Sequence, residues 1–107
     1  MKQVLLAIAL LGATFSWAQV PGNAVWIDVR SAGEFQSGHL EGATHIPWDG
    51  IEKGVAEMDL EKSRPIYLYC GSGGRAERAR SRLQAAGFSA VVNAGGLADA
   101  KALAAQD

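Results

Sequence analysis

One stretch limits the folds open to this 107-residue chain more than any other. From Pro65 the sequence runs Ile-Tyr-Leu-Tyr, then Cys70, then Gly-Ser-Gly-Gly, then Arg75. The apolar and aromatic run predicts a buried strand over Ile66 to Tyr69. Beyond Arg75, the apolar residues Ala76, Ala79, Leu83 and Ala86 recur at helical spacing, and Gly87 supplies a left-handed stop. Cys70 is therefore expected at the carboxyl end of a strand, ahead of a glycine loop and a helix N-terminus. Glycines there let successive backbone N–H groups converge, and the helix dipole adds partial positive charge, which makes a cradle for an anion.

The same groups stabilise a thiolate. A free thiol has a pKa of about 8.5, and a helix N-terminus with a neighbouring arginine lowers it to roughly 3.5–7.5. Cys70 is thus the candidate nucleophile. Gly71, Ser72, Gly73 and Gly74 are candidates for the substrate-binding cradle, with Arg75 gripping an oxyanion through its planar fork. Arg75, Arg78 and Arg82 fall at i, i+3 and i+7, so they share a helix face. Arg78, Arg80 and Arg82 also suit an ordinary solvated face with Glu77 among them.

Cys70 is the only cysteine, so no internal disulfide is available. That bears on the expected compartment, because the N-terminus reads as a secretory signal peptide over residues 1–18: Lys2, an apolar run from Val4 to Leu11, and Ser16-Trp17-Ala18 as a small-x-small cleavage site. The run is too short for a membrane span, which needs about 20 apolar residues. The expected product is a periplasmic domain, residues 19–107, with no stable membrane association. Losing Lys2 from ten basic residues, against eleven acidic ones, leaves a formal charge of −2, which makes nucleic acid an improbable partner. The charge is unevenly spread, with eight acidic and two basic residues between Asp28 and Glu61 while the arginines flank Cys70. One cysteine and two distant histidines offer no metal-ligand spacing, and no cofactor is expected.

The remaining elements alternate. Val25 to Val29 is expected as a strand, and Ser31 with Glu34 forms a capping box for a helix to Gln36, ended at Gly38. Thr44 to Ile46 follows as a short strand stopped by Pro47. Ile51 to Met58 reads as a helix with Ile51, Val55 and Met58 on one face. Ala90 to Val92 is a further strand, and Gly95-Gly96 precedes a final alanine-rich helix to about Ala105. Alternation of this kind predicts one α/β domain with a mainly parallel sheet, whose ligands bind beyond the strands' carboxyl ends.

With these residues in hand the chain resembles a known family. IDVRSAGEFQSGHLEGATHIP, from Ile27 to Pro47, resembles the opening signature of rhodanese domains, YCGSGGRA from Tyr69 to Ala76 their active loop, and VNAGGL from Val92 to Leu97 their closing element. A single exported domain is most similar to the periplasmic phage-shock rhodaneses. The resemblance implies a rhodanese-like α/β fold, a doubly wound and mainly parallel sheet flanked by helices, and a thiosulfate sulfurtransferase. Cys70 would take the outer sulfur of thiosulfate, release sulfite, and pass the persulfide sulfur to cyanide or a thiol. It gives Asp28, Arg30, Glu34, His39 and Pro47 a mainly structural role. Ala76, where the family often has serine or threonine, and Ala100, where it often has tryptophan, depart from the pattern.

Two other readings compete. Tyrosine-phosphatase or arsenate-reductase-like enzymes also seat a cysteine in an anion cradle, but they place five residues between cysteine and arginine, whereas Cys70 and Arg75 enclose four. A non-catalytic rhodanese-like sensing or binding module would not need both Cys70 and Arg75. With no second cysteine, a persulfide on Cys70 requires an external acceptor.

Overall fold

The computed structural model describes residues 19–106; the expected leader, residues 1–18, lies outside the described residues. The strands are β1 (Val25–Asp28), β2 (Thr44–His45), β3 (Ile66–Cys70) and β4 (Val91–Gly96). The helices are α1 (Ala32–Ser37), α2 (Ile51–Met58), α3 (Gly74–Ala85) and α4 (Leu97–Ala104), and a short 3-10 turn at Trp48–Gly50 leads into α2. All strand pairs are parallel, in the order β2-β1-β3-β4.

The strand order dictates where the helices go. Parallel crossovers are right-handed, so the connection from β1 outward to β2 and the connections running back through β3 to β4 must cover opposite faces of the sheet. Ile66, Leu68 and Cys70 share one face of β3, and they are buried in a single apolar cluster with Ile51 and Val55 of α2 and Ala76, Ala79 and Leu83 of α3. The other face carries Asp28, Arg30 and Tyr69, to which α1 and the loop after it attach. On β3 and β4, α4 buries Ala100 outside that cluster. The sheet is thus doubly wound, and the strand order reverses between β1 and β3, where α/β folds place their ligands.

The expected elements are present, with adjusted ends. α1 begins with the capping box: the Glu34 N–H donates to Ser31 Oγ at 3.3 Å, and the Ser31 N–H donates to Glu34 Oε1 at 3.0 Å. The helical stripe of α3 stops at Leu83. Ala86 is exposed at the helix end, and Phe88 enters the core after Gly87 turns the chain at φ +103°. Gly95 and Gly96 belong to β4 itself. That strand extends past Val92 because Gly96 pairs with Cys70 across a register shift that a short apolar run does not announce.

Under α1 lies a buried charge pair. Asp28 accepts from the Arg30 backbone N–H at 2.9 Å, from Arg30 Nε at 3.0 and 3.1 Å, and from Arg30 Nη2 at 2.7 Å. Nη2 also donates to the Gly38 carbonyl at 2.7 Å, which ties the end of α1 to β1. The Tyr69 hydroxyl accepts from the Leu40 N–H at 3.0 Å and contacts Asp28, and its ring lies under the Arg30 guanidinium. Burial works against the Asp28 charge, but the hydrogen bonds from Arg30 and Tyr69 outweigh it and hold its pKa below the usual carboxylate value.

Removing one partner of such a pair leaves a buried charge uncompensated. Asp28→Ala should therefore cost about 3–5 kcal/mol in urea unfolding. A loss under about 1 kcal/mol would show that water reaches Arg30 freely.

Candidate active site

Cys70 is the last residue of β3 and is about 1% exposed. Gly73 adopts φ +108°, a left-handed conformation that suits glycine, and this turns its N–H back onto Cys70 Sγ at 2.9 Å. Burial alone pushes the thiol up. The backbone N–H groups of Ala76, Ser72, Gly73 and Arg75 more than offset that, so the Cys70 pKa lies below the ordinary thiol value. Of the residues expected to form the cradle, Ser72, Gly73 and Arg75 turn backbone N–H groups toward the sulfur, Gly71 and Gly74 are not among these donors, and Ala76 contributes a backbone N–H that needs no side chain.

Arg75 is paired. Its Nη1 donates to Glu34 Oε1 at 2.7 Å and its Nη2 to Glu34 Oε2 at 3.1 Å, a two-pronged contact between α3 and α1 over the carboxyl end of the sheet. The contact raises the Arg75 pKa, with a smaller contribution from the Cys70 sulfur, and it helps lower Glu34 to about 2. The other arginines do not converge on the sulfur. Arg78 and Arg82 lie over the Trp48 ring at 5.3 and 5.1 Å, Arg82 approaches Glu52 at 3.6 Å, and Arg80 pairs with Glu77.

Three residues that the sequence did not single out for the loop support it. Asn93 Nδ2 donates to the Gly73 carbonyl at 2.9 Å while Asn93 Oδ1 accepts from the Gly95 N–H at 2.9 Å. An asparagine two residues before a glycine at a strand end is an Asx-turn signal that was available to read. A Cβ at Gly96 would overlap the Gly71 carbonyl oxygen, so β4 and the loop meet backbone to backbone. Glu34 reads in the sequence as a cap and as part of the opening signature, not as the partner of Arg75.

The histidines are held away from the sulfur. The His39 ring stacks on Phe35 at 3.6 Å with Nδ1 beside the Phe35 carbonyl, and His45 Nε2 donates to the Arg30 carbonyl at 2.7 Å. A cleft of about 330 Å³ between the end of α2 and the α3–β4 turn is lined by Val55, Leu60 and Phe88 and does not include Cys70.

Residues 17–103 match the rhodanese-like domain family. The chain belongs to that family. It is a single rhodanese-like domain, 36% identical over 98 residues to thiosulfate sulfurtransferase PspE of Escherichia coli, a match spanning 92% of this chain and 90% of that relative. A tRNA uridine(34) hydroxylase of Enterobacter is 37% identical over 64% of this chain, but only 21% of that longer protein is covered. Among solved structures, a rhodanese with anions from E. coli superposes with a TM-score of 0.68 at 34% identity, over 71% of this chain and 89% of that one. The rhodanese fold expected from the motifs is thus the observed one.

The N–H cradle should be visible as reactivity. Alkylation of Cys70 by iodoacetamide should show a pH midpoint below the roughly 8.5 of a free thiol. Gly96→Ala should displace Gly71, move that midpoint upward and slow alkylation at neutral pH about tenfold, with the far-UV circular dichroism retained. An unchanged midpoint in Gly96→Ala would mean that β4 does not hold the loop.

Proposed function

We propose that the protein is a sulfurtransferase that moves sulfane sulfur from thiosulfate, through a persulfide on Cys70, to cyanide or a thiol. The observation that carries this reading is the convergence of four backbone N–H groups on a buried Cys70 sulfur at the switch point of the sheet. Family membership and the extent of the match to PspE support it.

In the proposed cycle the Cys70 thiolate attacks the outer sulfur of thiosulfate. A new S–S bond forms as the old one breaks, and its electron pair leaves with sulfite. The acceptor then attacks the outer persulfide sulfur, and the electron pair of the Cys70 S–S bond returns to Sγ as thiolate. With cyanide the product is thiocyanate. The chemistry calls for no general base, because the loop lowers the Cys70 pKa and so raises the thiolate fraction, and for no metal or cofactor.

The N–H groups of Gly71 to Gly74 and Arg75 are proposed to bind the donor. A guanidinium carries five N–H donors, and Glu34 engages only part of that set. The four-residue spacing between Cys70 and Arg75 favours this reading over a phosphatase, whose loop is longer by one residue.

Export rests on the leader pattern of residues 1–18. Among the described residues no helix is long and apolar enough to cross a membrane. Protein recovered from the periplasm should begin at Gln19 by intact mass. Recovery in the cytosol with the leader retained would overturn the export proposal.

Purified protein supplied with thiosulfate and cyanide should form thiocyanate, and Cys70→Ser should not. Thiosulfate alone should add the mass of one sulfur atom to Cys70. Thiocyanate formation no greater than that of the serine variant would sink the sulfurtransferase reading, and turnover of para-nitrophenyl phosphate would favour a phosphatase.

A further inference from the structure

The sequence marks Arg75 as the loop's cation, yet both terminal nitrogens of its guanidinium are already spoken for. The acid that takes them is itself fixed. Glu34 Oε1 accepts from Ser31 N at 3.0 Å, from Ser31 Oγ at 3.0 Å and from Arg75 Nη1 at 2.7 Å, while Oε2 accepts from Arg75 Nη2 at 3.1 Å. A carboxylate held by four hydrogen bonds, two of them from a helix cap, does not readily swing aside when an anion arrives. A Cβ on Gly71 would lie 3.2 Å from Arg75 Nη2, so the pair sits directly against the Cys70 loop.

We infer that Glu34 is a specificity-determining residue that weakens the site's affinity for dianionic sulfur donors, because it occupies the fork of Arg75 and cancels its charge at the mouth of the Cys70 loop. A dianion entering the cradle meets the backbone N–H groups and the open edge of a neutralised guanidinium, with a fixed carboxylate beyond it. Glu34 stays ionised throughout the neutral range, since Arg75 and the Ser31 contacts lower it to about 2. The remaining arginines do not make up the charge: Arg78 and Arg82 lie on Trp48, and Arg80 is paired with Glu77.

The inference rests on the sulfurtransferase reading only for the identity of the donor. Its physical core is anion affinity, which can be measured without turnover. Glu34→Gln suits the test because glutamine at the third helical position still completes a capping box, so the fold of α1 is retained while the charge is lost. Ser31→Ala is the counterpart, since it weakens the cap and leaves the Arg75 pairing in place.

In Glu34→Gln the KM for thiosulfate should fall about three- to tenfold, the scale of one exposed charge acting on a dianion, with kcat changed less than about twofold. The sulfate concentration that half-protects Cys70 from iodoacetamide should fall by a similar factor, and the alkylation midpoint should move to lower pH. Ser31→Ala should shift both quantities much less, because the Ser31 N–H and Arg75 still hold the carboxylate. A KM or sulfate concentration that rises or stays the same in Glu34→Gln would overturn the inference, as would an equal effect from Ser31→Ala. Loss of thiocyanate formation with the sulfate shift retained would count against the sulfurtransferase reading alone.

Discussion

The buried Asp28–Arg30 pair is the interaction on which the geometry of the catalytic end depends. An ion pair out of water is worth little to stability in itself, because desolvation consumes most of its Coulombic attraction. Its value here lies in direction. Arg30 holds the end of α1 through the Gly38 carbonyl, and His45 of β2 donates to the Arg30 carbonyl. Tyr69, one residue before Cys70, meets Asp28 beneath Arg30 and accepts from the Leu40 N–H. Three strands and the first helix are thereby oriented about one hub, and Glu34 is delivered over the loop.

Around the sulfur two opposing effects meet. Taking Cys70 out of water disfavours its charged form, whereas the loop turns backbone donors onto it and Arg75 adds a weaker charged contact. Backbone N–H groups hold the anion without a mobile side chain, and they keep their orientation because Asn93 and Gly96 brace the loop from β4. The charged residues that do reach this end, Arg75 and Glu34, largely satisfy each other.

Much of this was legible in the sequence because it depends on local rules. The capping box at Ser31 and Glu34, the stop at Gly87 and the strand–cysteine–glycine–helix order each follow from neighbours in the chain. The parts that were not legible depend on long-range approach. Glu34 and Arg75 are 41 residues apart, and only the doubly wound topology brings their helices together over one end of the sheet. Gly95-Gly96 reads only as the approach to the last helix, because a glycine pair has no side-chain pattern to reveal that a strand continues through it. The arginine stripe of α3 correctly implied a shared helix face, but the destination of Arg78 and Arg82 depended on where Trp48 would lie.

The close approach of Gly96 to the Gly71 carbonyl also limits what this scaffold can become. A loop with one more residue, as a larger oxyanion would require, would have to move the Gly71 peptide, and that peptide abuts the end of the neighbouring strand with no side chain between them. Loop size and strand ending therefore form one heritable unit. A lineage that lengthens the loop at Gly71 must alter the end of β4 as well, so the spacing that separates sulfur-handling from phosphate-handling cradles is tied to the strand behind the loop.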